Sequence, residues 1–154
     1  MGSPGDGFNR SYPATAESVP RVRSELTRFA IQAGARGERL AALRLAVSEA
    51  VTNGVLHAYD GTPGTIRVSA SCVGAELWLL VSDDGSGLRP RGPHSGLGLG
   101  LAMIAQLADE FQIMSRSHGG TELRMQFRLQ DNGRPQDRGR GQLRGSVSSA
   151  VIPA

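Results

Sequence analysis

A carboxylate, an amide and an imidazole stand four residues apart in one stretch of the chain, at Glu49, Asn53 and His57. A helix has 3.6 residues per turn, so residues with this spacing stack along one face. Apolar residues of the same stretch, such as Val47 and Val51, wind along the opposite side. The pattern predicts either a helix that presents its polar row to a ligand or a metal ion, or an ordinary solvated helix face.

A second candidate site follows a strongly apolar segment, where Asp83, Gly85 and Gly87 form an Asp-x-Gly-x-Gly sequence. A carboxylate at a strand end is held by the sheet, and its oxygens can accept hydrogen bonds from an exocyclic amine such as that of adenine. Glycines permit positive φ angles and let the backbone approach a flat ring closely. The alternative is a simple strand-to-loop turn, because Asp-Gly and Ser-Gly pairs are common in turns.

Glycine also alternates with leucine from Gly96 to Leu101, just before a helical pattern. Backbone N–H groups at a helix N-terminus are unpaired and lie at the positive end of the helix dipole, so this segment suits a phosphate group. The spacing differs from the Rossmann fingerprint, and the sequence contains no lysine for a Walker A loop. A flexible linker is the alternative, although the alternating leucines argue against it.

The elements that would position these residues are read from apolar periodicity. Five strands are predicted, at Phe8–Tyr12, Ile66–Cys72, Glu76–Val81, Phe111–Ser115 and Thr121–Leu129. Alternation is clearest in the second and the last, whereas Glu76–Val81 is a short apolar run that follows a hairpin turn at Gly74. Spacings of three and four predict three helices, one through Val22, Leu26 and Ala30, one from about Glu38 to Ala58, and one after the glycine-rich segment. We therefore expect an α+β fold, a two-layer sandwich with the helices on one face of a mixed, mostly antiparallel sheet. The strand before Asp83 is apolar on both faces and should be central.

Composition indicates one soluble domain with flexible ends, because the 154 residues are 39% hydrophobic and 20% charged. We expect residues 1–7 to be disordered, residues 8–129 to form the domain, and residues 130–154 to form a disordered basic tail. The tail is expected to be solvated and to lack a specific nucleic-acid partner, although weak attraction to acidic surfaces is an alternative.

The single cysteine, Cys72, excludes an internal disulfide. Its position in an alternating segment predicts a buried structural thiol. We find neither a signal peptide nor an apolar run near 18 residues, so a cytoplasmic protein without a membrane partner is expected.

Together, the motifs resemble the four sequence boxes of the gyrase, chaperone, histidine-kinase and mismatch-repair ATPase superfamily, the Bergerat ATP-binding fold. Gly119-Gly120-Thr121, before the last strand, corresponds to the fourth box, and the resemblance extends over residues 8–129. Within the superfamily the chain is similar to the anti-sigma factor serine kinases. The residues that carry this similarity are Val47-Ser48-Glu49-Ala50-Val51-Thr52-Asn53, with His57 and Tyr59 just beyond, and Glu17-Ser18-Val19-Pro20-Arg21-Val22.

The resemblance implies ATP and Mg²⁺ as cofactors. Asn53 would coordinate the Mg²⁺ that bridges the phosphates, and Glu49 would act as general base on a protein serine hydroxyl or orient the nucleophile. Asp83 would hydrogen-bond the adenine amine. The remaining nucleotide-binding positions would be Gly85, Gly87 and Thr121 around the base, and Gly98, Leu99 and Gly100, through their backbone, at the phosphates. His57 is interpreted as a structural residue.

The same resemblance implies a serine/threonine protein kinase that binds a sigma factor and phosphorylates an anti-anti-sigma partner. Arg21 would belong to the partner-binding surface, although on its residue type alone it is equally a solvated helix arginine. A homodimer is also expected, because relatives of this type often pair.

The segment between the two glycine boxes, Leu88 to Ser95, is short for the lid that closes over ATP in this family. A lid that excludes water supports efficient phosphate transfer. Two alternatives to the kinase therefore stay open: an ATP-gated binding module without catalysis, and a simple ATP-hydrolysing fragment.

Overall fold

The computed structural model describes residues 7–87 and 97–130 of the chain. Five strands and three helices follow one another in these residues: β1 (Phe8–Pro13), α1 (Ser18–Gln32), α2 (Gly37–His57), β2 (Thr65–Val73), β3 (Glu76–Asp83), α3 (Leu97–Leu107), β4 (Glu110–Ser115) and β5 (Thr121–Arg128). The predicted elements are all present, with ends that agree to within a few residues. The predictions for the loop Leu88–Ser95, for the N-terminal segment and for the basic tail fall on residues outside the described ranges, except Gly7 and Gln130.

The strands form one sheet in the order β1-β2-β3-β5-β4, and all four pairings are antiparallel. β3 is the middle strand, as its two apolar faces predict. Leu79, near its centre, lies opposite Ala70 of β2 and Met125 of β5, and all three are buried. The sheet therefore brings the end of β3, with Asp83, between β2 and the start of β5.

The three helices pack on one face of this sheet, which confirms the two-layer α+β sandwich. The helix predicted from Val22, Leu26 and Ala30 buries all three side chains completely. It ends in a Schellman-type turn, where Gly34 adopts a φ of 105° and the N–H of Ala35 donates to the carbonyl of Ala30 at 2.9 Å. α2 lies between α1 and α3, so its position fixes the polar row that starts at Glu49.

The prediction of a buried thiol at Cys72 is wrong, because this side chain is exposed. β1 pairs with β2 only as far as Ala70, opposite Phe8. Beyond that point β2 is an edge strand, and the core continues on β3 and β5. Leu77 of β3, opposite Cys72, and Phe127 of β5 are fully buried there.

None of the helices in the described ranges is long and apolar enough to cross a membrane.

Candidate functional site

A cavity opens between the C-terminal half of α2 and the end of the sheet that carries Asp83. Asn53 and His57 of α2 line it, whereas Glu49 lies one turn further towards the start of the helix. The other lining residues are Ala50, Gly54, Ala58, Ile66, Val81, Ser82, Asp83, Gly87, Leu101, Thr121 and Leu123. His57, which the sequence interpretation treated as structural, thus borders the same space as the predicted ligand residues.

The walls of the cavity are apolar side chains of the sheet, which the sequence motifs did not identify. Ile66, Val81 and Leu123 come from three adjacent strands and are at most 5% exposed. Gly54 of α2 packs against this wall, since a Cβ at that position would lie 2.9 Å from Ile66 Cδ1. Strand alternation alone assigns these side chains to the face of the sheet that the helices cover. Their position in the cavity depends in addition on the register between the strands, which alternation does not determine.

Asp83 is the last residue of β3, and its half-buried side chain lines the cavity at this end of the sheet. The N–H of Gly85 donates to its Oδ1 at 2.9 Å, and the backbone of Thr121 also hydrogen-bonds the carboxylate. Burial is the main reason why the pKa of Asp83 is raised above its ordinary value, and repulsion by Asp84 adds to it, while these hydrogen bonds and the Arg116 guanidinium oppose the rise. A carboxylate removed from water in this way accepts strongly from a donor that fits the cavity.

Two of the three glycines around Asp83, Gly85 and Gly120, permit close backbone contacts. A Cβ at Gly85 would lie 2.0 Å from the carbonyl oxygen of Ala58, so this glycine lets the turn pack against the end of α2, a contact that the expected approach to a flat ring did not include. Gly87 has a φ of 77° and lines the cavity. Gly120, with a φ of 91°, approaches the carbonyl oxygen of Asp83 so closely that a Cβ would lie 2.0 Å from it.

The N-terminal turn of α3 lies directly over the polar row of α2. A Cβ at Gly100 would lie 3.1 Å from Glu49 Oε2 and 3.3 Å from Asn53 Oδ1, so no larger residue fits there without displacing these groups. Gly98 and Leu99 are exposed, and a Cβ at Gly98 would meet no atom within 4 Å. The structure thus brings the first turn of α3, whose N–H groups have no partner within the helix, next to the predicted acid and amide.

The amide of Asn53 is incomplete in its hydrogen bonding. Its Nδ2 is buried and has no partner in the described residues. A buried donor without an acceptor costs roughly 1–3 kcal/mol, so such a group points to a ligand that supplies the acceptor. An anion between Asn53 and the first turn of α3 would do so.

The residues present also fit a bound Mg²⁺ ion held mainly by a ligand. Among the described residues, no three His, Cys, Asp or Glu side chains gather closely enough to hold a metal by themselves. Mg²⁺ keeps several waters and commonly binds through one or two protein oxygens together with substrate phosphates. The Oδ1 of Asn53, beside Gly100, is a protein oxygen in the right place for that arrangement.

Arg21 lies outside this cavity, near the start of α1. Its Nε donates to Glu25 Oε1 at 3.0 Å, and its guanidinium stacks 5.5 Å from the centre of the Tyr12 ring. The side chain is 64% exposed. The structure therefore separates the predicted partner-binding residue from the predicted nucleotide-binding residues.

Comparisons with known proteins agree with this geometry. Residues 12–127 match the histidine kinase-like ATPase domain family. The chain is 32% identical over 122 residues to the anti-sigma F factor of Clostridium kluyveri, covering 71% of this chain and 83% of that protein. It is 30% identical to the anti-sigma F factor of Thermoanaerobacter sp. strain X514, covering 75% and 88%.

A solved structure of the RsbU and RsbW domains of a Mycobacterium tuberculosis protein is also similar, with a TM-score of 0.64 and 29% identity. The match covers 80% of this chain and 32% of that longer one. The family match implies ATP as the nucleotide ligand, and it confirms the resemblance drawn from the motifs. The chain belongs to the histidine kinase-like ATPase domain family and, within it, to the anti-sigma factor kinase-like ATPases.

Proposed function

We propose that this protein is an ATP-dependent serine/threonine protein kinase that acts as an anti-sigma factor. The observation that carries the proposal is the buried Nδ2 of Asn53, which has no hydrogen-bond partner among the described residues and lies one turn from Glu49, beneath the first turn of α3. An ATP phosphate chain in this position would satisfy the amide and meet the N–H groups of α3. Mg²⁺, held by Asn53 Oδ1 and the phosphates, would neutralise part of their charge.

The position of Glu49 supports phosphate transfer in this site. Its carboxylate accepts the proton of a partner's serine hydroxyl, while the serine oxygen bonds to the γ-phosphorus and the bond from that phosphorus to the bridging oxygen breaks, releasing ADP. Glu49 lies on the same helix face as Asn53, with Gly100 beside both, so in this proposal the general base is next to the phosphates, one helical turn from the residues that line the cavity.

The adenine base occupies the inner part of the cavity in this proposal. Asp83 accepts from its amine, and the apolar side chains of Ile66, Val81 and Leu123 contact the ring. Gly87 and Thr121 border the same space. A pocket of this kind, mostly apolar with a few fixed polar groups, is typical of nucleotide sites.

The proposed protein partners are a sigma factor, which the anti-sigma naming of the relatives supports, and an anti-anti-sigma protein that carries the phospho-accepting serine. Arg21 is proposed as part of the partner surface, since it is exposed and held in place by Glu25.

A homodimer is also proposed. The sheet face opposite the three helices carries the half-buried Trp78 and Leu80 and gives one surface for such contact, and light scattering would measure the mass.

The kinase proposal is tested by comparing Glu49→Gln with the wild type. The protein is incubated with Mg-ATP and a purified candidate anti-anti-sigma protein, and phosphoserine is measured over time. Loss of a general base should slow transfer about 10²–10⁴-fold, whereas ATP binding should stay near the wild-type value. Glu38→Gln, at the exposed start of the same helix, is the control and should transfer normally.

Equal transfer rates for Glu49→Gln and the wild type would contradict the role of Glu49. ATP-dependent capture of the partner without transfer by either protein would instead favour the non-catalytic binding module. Phosphate release without any partner would favour a simple ATPase.

A further inference from the structure

The turn that carries Asp83 is held from behind by an ion-pair cluster that the nucleotide motifs do not include. Asp84, the next residue, turns outward and is exposed, while Asp83 faces the cavity. Arg67 of β2 donates to Asp84 Oδ2 at 2.7 Å, and Arg116, at the end of β4, donates to Asp84 Oδ1. The Asp84 carboxylate thus connects Arg67, on the β2 side of β3, with Arg116, on the β5 side.

Arg116 also contacts the main chain of the residue that faces the cavity. Its Nη1 donates to the carbonyl oxygen of Asp83 at 3.2 Å. Two backbone hydrogen bonds close the hairpin that carries Arg116. The N–H of Arg116 donates to the carbonyl of Gly120 at 3.1 Å, and the N–H of Gly119 donates to the carbonyl of Arg116 at 3.1 Å. Rotation of the peptide group between Asp83 and Asp84 would therefore break contacts to Arg116.

A third contact fixes the same peptide group from the side of α2. The N–H of Asp84 donates to the Tyr59 hydroxyl at 2.9 Å, and that hydroxyl donates to the carbonyl of Thr65. Both polar groups of the Asp83–Asp84 peptide are thus hydrogen-bonded to side chains, Arg116 on one and Tyr59 on the other. Two rotatable side-chain bonds then remain to set the direction of the Asp83 carboxylate.

The cluster is too exposed to be explained by stability alone. The side chains of Arg116 and Asp84 are 36% and 47% exposed, and exposed ion pairs contribute only about 0–1 kcal/mol to folding. Recognition of a base, in contrast, depends on geometry to a fraction of an ångström, since hydrogen bonds weaken steeply as they lengthen or bend. The guanidinium of Arg116, hydrogen-bonded to the Asp83–Asp84 peptide group, therefore matters most for the direction in which the Asp83 carboxylate points.

We propose that Arg116 is a positioning residue for base recognition, which acts through the Asp83 carbonyl and Asp84 to aim the Asp83 carboxylate at the exocyclic amine of adenine. The proposal rests on the ATP site proposed above. It assigns to Arg116 a part of the selectivity for a purine that carries this amine, and no contact with the nucleotide.

The test compares the binding of two nucleotides by calorimetry, ATP and the triphosphate of purine riboside, which lacks the exocyclic amine. In the wild type, ATP should bind about 10–100-fold more tightly, the value of one hydrogen bond to a charged acceptor. Arg116→Met should bring this ratio of affinities down to within a few-fold of one, mainly by weakening the binding of ATP. Arg116→Lys, which restores a donor, should recover much of the ratio.

The matched control is Arg124→Met on β5. Arg124 has nearly the same exposure, 37%, and forms an ion pair with Glu122 at 3.2 Å, but it lies outside this cluster and does not line the cavity. Its ratio should equal that of the wild type. Damage to the fold would weaken the binding of both nucleotides together and leave the ratio unchanged. If Arg116→Met does not fold, Arg116→Gln, which has a shorter and uncharged side chain, provides the same comparison.

A wild-type ratio within the expected range that persists in Arg116→Met or, where that variant does not fold, in Arg116→Gln would overturn the proposal and leave the ATP site intact. A wild-type protein that binds both nucleotides equally would overturn the adenine contact of Asp83, and the role of Arg116 with it. A ratio lost in Arg124→Met as well would also overturn it, because the effect would then not depend on the strand-end cluster.

Discussion

Asp83 and Asp84 are adjacent carboxylates whose environments have opposite effects on their charge. The pKa of Asp83 is raised, mainly by burial, whereas the pKa of Asp84 is lowered, mainly by its hydrogen bond from Arg67. The charged form of Asp83 therefore opposes folding, and the charged form of Asp84 favours it. This contrast is what a carboxylate reserved for a ligand should produce next to one whose charge is paired by arginines.

The first prediction at this scale is that Asp83→Asn stabilises the nucleotide-free protein at neutral pH and abolishes ATP selectivity. Asparagine keeps an oxygen for the Gly85 N–H but carries no charge to bury. The gain should shrink as pH falls through the raised pKa of Asp83, because protonated Asp83 is neutral as well. Denaturant unfolding of Asp83→Asn and the wild type at several pH values measures this difference in the free energy of unfolding.

Asp84→Asn is the matched comparison and should have the opposite sign. Because the pKa of Asp84 is lowered in the folded state, its contribution is present at neutral pH and is lost as pH falls through that lowered pKa. Two substitutions with the same sign at neutral pH would contradict this assignment of costs.

At the scale of elements, the β4–β5 hairpin approaches the end of β3 so closely that only glycine fits. Gly119 and Gly120 both have φ angles near 90°, at which a side chain is strained, but only Gly120 lies against the Asp83 carbonyl. Gly119→Ala should cost the conformational strain alone, roughly 1–2 kcal/mol. Gly120→Ala should destabilise the protein considerably more and weaken ATP binding.

Thermal or denaturant unfolding of the two variants separates these effects. Equal losses of stability would mean that the contact between the hairpin and Asp83 contributes nothing beyond backbone conformation.

The packing of α3 on α2 allows a second paired prediction. Gly100→Ala would push a methyl group against Glu49 and Asn53, so phosphate binding should weaken although alanine favours helix formation. Gly98→Ala keeps the backbone N–H and meets no neighbour within 4 Å, so its ATP affinity should stay close to the wild-type value. Calorimetry with Mg-ATP distinguishes them, and an unaffected Gly100→Ala would argue against the phosphate position beside Asn53.

At the scale of the whole molecule, periodicity was sufficient for the fold. Alternation marks the strands that have one face under the helices, and β3 is marked as central by its two apolar faces. β4 alternates as well, although only Phe111 among its residues is half-buried. The exposed Cys72 was mispredicted because alternation does not tell where a neighbouring strand begins, and β1 covers β2 only to Ala70.

The site was predictable where it depends on short motifs and not where it depends on packing between distant segments. Asn53, Asp83 and Thr121, which belong to three separate motifs, line one cavity, and their roles towards ATP stay predictions. The contact of Gly85 with Ala58 and the reach of Arg116 to Asp83 depend on how hairpins and helix ends meet, which no local pattern contains.

The most direct test of the account is the Mg²⁺ dependence of ATP binding in Asn53→Ala. Calorimetry is carried out with Mg²⁺ and with a chelator, on the wild type, Asn53→Ala and the control Thr52→Ala, a neighbouring half-buried residue that does not line the cavity. The wild type and the control should bind ATP more tightly with Mg²⁺. Asn53→Ala should lose this gain and bind about 10–100-fold more weakly. Wild-type affinity and Mg²⁺ dependence in Asn53→Ala would contradict the site.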